Sequence, residues 1–341
     1  MSFYTSIYGL NILLNEQVPG IAKLESPTAI ADIEITFGAM PSWFRPDEVE
    51  KELWYVSPEQ EPGGDPRLVV WEVVDTDHYH VRYADGTQFL IDKLGTRIWA
   101  TWPPETLTLE DTATYLLGPM MGFVLLLRGC ISLHASAFAV GDQAVALVGP
   151  AGAGKSTTAA ALAGLGYSVL AEDVVSLQDF GNLFLVQPAY PCIRLWPSSV
   201  KALYGQEAEL PKLTPTWDKC YLDLTQKQYD FKKEPLPLAA IYLLDERNEA
   251  PTSPSVHEVS SSKALISLIA NTYATYLMDK KMRAREFELL GRVLKNVTVR
   301  RVVPHADPVN IATLCKTIIE DFDSLRSRGL LLEVLEHALH V

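Results

Sequence analysis

The chain has 341 residues, which is too long for one typical hydrophobic core and predicts about two domains. Its net charge of −13 argues against nucleic acid or an anionic membrane as a partner. Its four cysteines form no C-x-x-C pair, and the start Met-Ser-Phe-Tyr-Thr lacks a basic segment followed by an apolar one. We therefore expect a cytoplasmic protein with reduced thiols.

The first hundred residues are predicted to form strands and turns. Residues 69–74 are an apolar, β-prone run, and residues 78–83 and 87–91 flank Asp85-Gly86, which is a two-residue hairpin signal. His78 and His80 lie on one face of the second of these strands, and we expect that face to be exposed rather than to hold a metal. The sequence predicts a β-rich N-terminal domain over residues 1–105.

Helical patterns begin after this region. Thr108 is placed to cap a helix whose first turn holds Glu110 and Asp111. The most apolar stretch, 115–127, is too short to span a membrane, and Pro119 is expected to begin a second, buried segment within it. We place the change of domain in the zone 105–130 and assign residues 106–341 to the second domain. A last helix over 325–339 is predicted to pack on the core, with a subunit contact, and thus a homo-oligomer, as the alternative.

A phosphate-binding motif lies in the middle of the chain. Residues 149–156 read G-x-x-x-x-G-K-S, the pattern of the P-loop or Walker A motif of nucleotide-binding proteins. The preceding run, 143–148, predicts a buried parallel strand, and the helix formers at 157–163 end at Gly164 and Gly166. The loop and helix N-terminus are predicted to hold the phosphates of ATP through Gly149, Pro150, Ala151, Gly152, Ala153, Gly154, Lys155, Ser156 and Thr157.

Two of these side chains have predicted roles of their own. Lys155 is expected to reach the β- and γ-phosphates, where its charge makes it catalytic. The hydroxyl of Ser156 is expected to ligate Mg²⁺.

An acidic pair and a histidine extend the motif to a candidate active site. Glu172 and Asp173 follow a predicted strand at 167–171, and such positions can hold Mg²⁺ or accept a proton from an attacking hydroxyl. The alternative is a solvated turn or a helix cap. His134 lies on the strand before the P-loop strand, where a core histidine is the more common interpretation.

The order of these motifs resembles a known family. Leu-His134-Ala, then Gly149 to Ser156, then Ala171-Glu-Asp-Val174 are similar to the catalytic domain of HPr serine kinase/phosphorylases, which share their core with ATP-dependent phosphoenolpyruvate carboxykinases. The opening Tyr8-Gly-Leu-Asn-Ile-Leu resembles HPr-kinase-related proteins of bacterial biosynthetic clusters, some of which are peptide kinases in lasso-peptide pathways. The resemblance implies an α/β fold with this core, Asp173 as the catalytic base and His134 as a site residue.

The chain differs from the family at two points. Glu172 stands where the family usually has aspartate, and a stretch around Arg194 takes the place of the long signature loop of HPr kinases. These differences bear on whether HPr is the acceptor more than on whether the reaction is that of a kinase. Arg194 and Lys219 are basic residues in apolar surroundings that are candidates for binding phosphate or an acidic substrate, with surface salt bridges as the equal alternative.

The predicted function is ATP- and Mg²⁺-dependent phosphorylation of a hydroxyl, with serine as the expected residue, on a peptide or small protein. Two alternatives stay open: a kinase for free serine or a related metabolite, and a nucleotide-binding regulatory ATPase without acceptor chemistry. In the last case Asp173 would be a metal ligand and His134 a core residue.

Overall fold

The computed structural model describes residues 2–21, 30–206, 208–250 and 252–331. Backbone contacts divide the chain into two compact units. Unit 1 comprises residues 1–129 together with 214–217 and 274–279, and unit 2 comprises residues 130–213, 218–273 and 280–341.

Unit 1 is built on an eight-stranded sheet in the order β1-β2-β3-β8-β7-β6-β5-β4. Its pairings are antiparallel except for β2–β3 and β3–β8, which are parallel. The predicted hairpin is confirmed, since β6 and β7 pair across Asp85-Gly86 and Gly86 has a φ of +94° that favours glycine. The strands are β1 Phe3–Ile7, β2 Leu10–Leu14, β3 Ile33–Phe37, β4 Lys51–Val56, β5 Leu68–Val73, β6 His78–Tyr83, β7 Gln88–Asp92 and β8 Arg97–Thr101.

Two short helices, α1 (Leu109–Tyr115) and α2 (Met121–Leu127), follow the sheet and belong to unit 1. Thr108 caps α1 as predicted, through a reciprocal capping box with Asp111. Pro119 does not begin the second helix: it lies inside a π-helical turn, Leu116–Met120, that joins the two.

The boundary of the first unit therefore differs from the predicted residue 105 and falls at Gly129, within the zone 105–130. The helices stay with the sheet because the Tyr8 hydroxyl donates to the carbonyl of Leu117 at 3.1 Å and the rings of Tyr79 and Phe123 pack edge to face at 5.2 Å. These contacts join residues far apart in sequence, and no local pattern reveals them.

Unit 2 is built on a second large sheet in the order β10-β9-β12-β13-β16-β18-β17, with β11 also on β9. β10 pairs with β9 antiparallel and with β16 parallel, and β16 pairs parallel with β18. β14 and β15 form a separate two-stranded antiparallel sheet. The strands are β9 Ile131–Val140, β10 Gln143–Val148, β11 Val169–Ala171, β12 Val174–Asp179, β13 Phe184–Val186, β14 Cys192–Leu195, β15 Cys220–Asp223, β16 Leu236–Leu244, β17 Ser255–Glu258 and β18 Thr298–Val303.

The core of unit 2 lies between this sheet and its helices. Phe138 and Tyr242 of the sheet pack in one apolar cluster with Ile318 and Phe322 of α7. The helices are α3 Lys155–Gly164, α4 Pro197–Tyr204, α5 Ser261–Ala270, α6 Lys280–Asn296 and α7 Ile311–Ser327. The predicted last helix, 325–339, is wrong at its start: α7 ends at Ser327 and residues 328–331 are not helical, with Gly329 at a φ of +64°. The part of the prediction over 332–339 lies outside the described residues. Within those residues, no helix is both long and apolar enough to cross a bilayer.

The β6 face that carries His78 and His80 is covered, contrary to the expectation of an exposed face. The ring of His80 stacks on Trp71 at 5.2 Å and meets Phe44 edge to face at 5.1 Å, and its Nε2 atom is 2.9 Å from Oε1 of Gln88. Residues 40–49 pack over this face, so a polar strand position becomes part of a core. Burial lowers the pKa of His80 to about 4, and the nearby charges of Lys51 and Arg82 act in the same direction.

This burial predicts an acid-sensitive unit 1. In the unfolded chain His80 takes up a proton near pH 6.5, whereas in the folded protein it does so only near pH 4. The contribution of the neutral His80 to the free energy of unfolding is therefore fully present above pH 6.5. The free energy of unfolding should fall by about 3 kcal/mol as the pH drops to 4. Urea unfolding can be followed by tryptophan fluorescence, because six of the seven tryptophans lie in unit 1.

The pH dependence of His80→Phe supplies the comparison, since carboxylates also titrate in this range. His80→Phe should lose most of the acid-induced destabilisation, while His257→Phe, at an exposed position of unit 2, should keep all of it. An unchanged pH dependence in His80→Phe would contradict the assignment.

Candidate active site

The glycine-rich loop 149–154 connects β10 to α3, as the sequence predicts. All six residues of β10 are buried, which suits a central strand. Position 149 requires glycine because the backbone of Leu244 lies close to it: a Cβ there would be 3.0 Å from the carbonyl oxygen of Leu244. Gly154 caps α3 with a φ of +105°, a conformation that L side chains rarely adopt. The loop is therefore shaped by glycine, with the N-terminus of α3 directly behind it.

Lys155 points back into this loop. Its Nζ donates to the carbonyl oxygens of Gly149 and Pro150 at 2.6 and 3.0 Å, and the residue is only 6% exposed. Burial lowers the pKa of Lys155 to about 8, although the charges of Asp173 and Glu172 act in the opposite direction. A buried ammonium whose two hydrogen bonds go to neutral carbonyls is poorly compensated, and an anion in the loop would supply what it lacks.

A short hydrogen bond joins the loop to the acidic pair. Ser156 Oγ donates to Oε1 of Glu172 at 2.6 Å, so the first turn of α3 and the end of β11 meet at one point. The other carboxylate oxygen of Glu172 accepts from the backbone N–H of Arg194 at 3.4 Å. Glu172 is 4% exposed and lies on the inner side of the pair.

Asp173 occupies a strained turn between β11 and β12. Its φ is +68°, and the N–H of Val174 donates to the carbonyl of Glu172 across it at 2.9 Å, which is the pattern of a γ-turn. Its own carbonyl accepts from the N–H of Ala135 at 3.2 Å, on β9. Such a conformation costs free energy and persists where the surroundings impose it, which is typical of functional sites.

Three side chains surround the Asp173 carboxylate. Arg194 donates to Oδ2 at 2.6 Å and the Tyr273 hydroxyl donates to the same oxygen at 2.9 Å, while His134 Nε2 lies 3.6 Å from Oδ1. Tyr273 reaches the site because residues 271–273 run along β9: the carbonyl of Asn271 accepts from the N–H of His134 at 2.7 Å. The Asp173 side chain keeps 20% of its area exposed, which makes it the accessible member of the acidic pair.

The two carboxyls have opposite pKa shifts. Burial raises the pKa of Glu172, and the charge of Arg194 offsets this only in part. Burial would also raise the pKa of Asp173, but Arg194, then His134 and the Tyr273 hydroxyl, outweigh it and hold the pKa below its usual value. Burial and the charge of Lys155 lower the pKa of His134, so its imidazole is neutral at pH 7. Asp173 is thus an ionised acceptor beside a neutral histidine.

Ser156 and Glu172 fit a magnesium ion bound together with phosphates. Mg²⁺ usually takes one or two protein carboxylates and fills its remaining positions with phosphate oxygens and water. Within the described part of the chain no group of three or more His, Cys, Asp or Glu side chains is arranged to hold a metal alone. A hydroxyl and a carboxylate oxygen that already converge suit an ion whose other ligands come from the nucleotide.

The other predicted site residues lie around this cluster. Lys219 precedes β15, and its charge contributes to the lowered pKa of Asp173. Its Nζ lies 5.1 Å from the ring centre of Trp196, which is 55% exposed. The pairing of β14 with β15 places Arg194 and Lys219 in the same region, because Leu195 pairs with Cys220. In α3, the hydroxyl of Thr157 lies 2.8 Å from the hydroxyl of Ser199.

Arg194 is not in a surface salt bridge, since its side chain is only 7% exposed and contacts both carboxylates of the acidic pair. Besides its bond to Asp173, its Nε lies 3.6 Å from Oε2 of Glu172. Tyr273 is a site residue that sequence reasoning missed. It lies between two helices in a stretch without a motif, and only its pairing with β9 brings it to Asp173.

Comparisons with known proteins give matches among solved structures. No protein-family model and no curated protein matches the chain. Among solved structures, the chain is similar to the Hpr(Ser) kinase/phosphatase from Coxiella burnetii, with 14% sequence identity and a TM-score of 0.30. The likeness covers 58% of this chain and 96% of that one. The functional assignment is carried by the chain's own residues.

Because Lys155 is a buried charge, its replacement should have opposite effects on ATP binding and on thermal stability. Lys155→Met should weaken the binding of magnesium ATP at least tenfold, because it removes the only ammonium inside the described loop. It should also raise the midpoint of thermal unfolding, because the cost of burying a charge disappears. Calorimetry and thermal melts measure the two effects.

Lys227→Ala, at an exposed lysine, is the matched control and should change neither quantity. Near-normal ATP affinity in Lys155→Met would contradict the assignment of the loop. A lower melting midpoint would show that the lysine serves mainly to hold the loop together.

Proposed function

We propose that the protein is an ATP- and Mg²⁺-dependent phosphotransferase that transfers the γ-phosphoryl group to a hydroxyl, with serine of a peptide or small protein as the acceptor. The observation that carries this proposal is the continuous cluster from the loop lysine through Ser156 and Glu172 to Asp173. It combines a phosphate cradle, two metal ligands and an accessible carboxylate within one unit. Phosphoryl transfer requires these parts and little else, since it depends on positioning and charge stabilisation.

The two carboxylates divide the work in this proposal. Glu172, which is inner and bonded to Ser156, holds the metal, and bound Mg²⁺ would neutralise charge on the transferring phosphoryl group. Asp173, which is outer and ionised, accepts the hydrogen bond of the acceptor hydroxyl and then its proton. A carboxylate of low pKa is a weak base, so its main contribution is to orient the hydroxyl in line with the leaving oxygen.

Arg194 and Tyr273 act as positioning residues for Asp173. Both donate to Oδ2, which leaves Oδ1 as the oxygen that faces His134 and the acceptor. Their hydrogen bonds fix the carboxylate inside the strained turn and keep it ionised. His134, neutral and 3.6 Å from Oδ1, can donate to or accept from the acceptor or a phosphate oxygen. Lys219 remains the candidate for binding an acidic group of the substrate.

Labelled ATP distinguishes this function from its alternatives. The protein is incubated with γ-labelled magnesium ATP and, separately, with a panel of serine-containing peptides, with free L-serine and without acceptor. Label in a peptide supports the proposal, and label in serine indicates a metabolite kinase. Release of phosphate alone, unaffected by any acceptor, indicates a regulatory ATPase and contradicts the proposal.

The division between the carboxylates predicts separable defects. Asp173→Asn should keep the affinity for magnesium ATP within a few-fold and lower the transfer rate by about 10²-fold or more, because an amide accepts no proton. Glu172→Gln should instead raise the Mg²⁺ concentration needed for half-maximal activity. Calorimetry and transfer kinetics measure these effects.

Asp323→Asn, an exposed position on α7, is the control and should behave like the unchanged protein. If Asp173→Asn abolished ATP binding, Asp173 would be a metal ligand and the two roles would be reversed.

Unit 1 offers a surface for the acceptor peptide. β4 is an end strand of its sheet, with Leu53 and Val56 exposed at 63% and 40%. Apolar side chains on an end strand suit an extended peptide, which can add to a sheet edge and place alternate side chains on it. The acceptor would then be recognised by residues other than those that perform the transfer.

Charged substitutions on β4 test this role. Leu53→Lys and Val56→Lys should each raise KM for a phosphorylated peptide several-fold and leave kcat unchanged, because uniform binding is lost and the chemistry is not. Leu94→Lys, at a turn of unit 1 that is 73% exposed, is the matched control. Unchanged KM in the β4 variants would place recognition in unit 2, where Trp196→Ala should then raise it.

A further inference from the structure

The loop 149–154 has two different flanks in unit 2. On one flank lie the acidic pair and His134, which β9 and its partners carry. On the other flank, β16 and β18 run parallel to β10, so the residues after them emerge at the same edge as the loop. In open α/β sheets ligands bind beyond such carboxyl ends. The second flank has no part in the proposed transfer chemistry.

A cleft opens on this second flank. It is open to solvent and spans about 430 Å³, open solvent space included. The loop itself, the start of α3, Ala202 of α4 and the segments that follow β16 and β18 line it. Its apolar walls are Pro304, Pro308, Ile311 and Leu314. A flat ring system could pack against these side chains.

Hydrogen bonds within the protein hold the polar groups of the cleft in place. The segments after β16 and β18 are joined by the N–H of Asn248, which donates to the carbonyl of Pro304 at 2.9 Å, and by the N–H of Ala306, which donates to the carbonyl of Asn248 at 2.9 Å. His305 Nδ1 accepts from the N–H of Asp307 at 2.9 Å and lies 3.0 Å from Nδ2 of Asn310. This arrangement leaves the His305 Nε2–H as a donor and the Asn310 Oδ1 as an acceptor.

Arg247 connects the cleft with the loop. A Cβ placed on Gly154 would lie 3.3 Å from Nη2 of Arg247, so the guanidinium lies against the last glycine of the loop. Arg247 is exposed and forms no ion pair within the described residues. A guanidinium in this position can donate to a phosphate oxygen held by the loop. The cleft therefore continues directly from the predicted phosphate site.

We infer that this cleft binds the base and ribose of the nucleoside triphosphate, with His305 and Asn310 as specificity-determining residues; the inference rests on the proposed function. The triphosphate then runs from the cleft past Arg247 and into the loop, and its γ-phosphate reaches the acidic flank. The base packs between the prolines and the apolar residues of α7. Asp307 Oδ1 accepts from the N–H of Val309 at 3.0 Å, and its other carboxylate oxygen can accept from the ribose hydroxyls, as acidic residues do in other nucleotide sites.

Binding without the nucleoside tests the inference. The affinities for magnesium ATP and for magnesium tripolyphosphate, which lacks base and ribose, are measured by calorimetry on the full chain. The unchanged protein should bind ATP at least about tenfold more tightly. Ala202→Trp, which fills the cleft from an exposed position of α4, and Asn310→Ala should each weaken ATP binding by about tenfold and change tripolyphosphate binding less than twofold.

Asn182→Ala, at an exposed turn between β12 and β13, is the matched control for Asn310→Ala. Equal affinity of the unchanged protein for both ligands would overturn the inference and leave the phosphate loop intact. Unchanged ATP binding in Ala202→Trp, or an equal loss for both ligands in both variants, would also overturn it. Binding of neither ligand by the unchanged protein would overturn the proposed function and the inference with it.

Discussion

The hydrogen bond from Ser156 to Glu172 is the contact on which the site depends, because it joins segments that reach the site from different parts of unit 2. Ser156 lies in the first turn of α3, directly behind the glycine-rich loop, and Glu172 follows β11, the strand after that helix. The same carboxylate accepts from the backbone N–H of Arg194, which fixes the β14–β15 sheet to the site. One buried carboxylate thus connects the loop, the acidic turn and the β14–β15 sheet.

This connection places four charges in a small buried region. Glu172 and Arg194 are 4% and 7% exposed, and Lys155 is buried as well. Asp173 and Arg194 compensate each other directly, whereas Lys155 has only carbonyl partners. Buried charges are costly unless they are paired, so the Lys155 ammonium would gain from an anion in the loop. The free energy that its burial costs the folded protein is available to such a ligand as binding energy.

The parts of the site that sequence reasoning could predict are local. The loop, the flanking strand and helix, and the acidic pair lie within residues 143–173, where each motif restricts the backbone of its own neighbourhood. The contacts of Arg194 and Tyr273 could not be predicted in this way, because they depend on the pairing of β14 with β15 and on the backbone hydrogen bonds of residues 271–273 to β9. The burial of His80 and the end of unit 1 at Gly129 could not be predicted either, because they also depend on contacts between residues far apart in sequence.

The direction of the neighbouring strands explains why the two flanks of the loop differ. Antiparallel β9 passes the end of β10 at Ala135, which pairs with Val148, so an interior residue of β9, His134, stands beside the loop. Parallel β16 instead ends there, since Leu243 pairs with the same Val148, and the chain beyond it is free to form a cleft. His134 is held within paired strands and is therefore rigidly placed. Loops beyond strand ends vary more easily, and recognition of a ligand can be built there without disturbing the reacting groups.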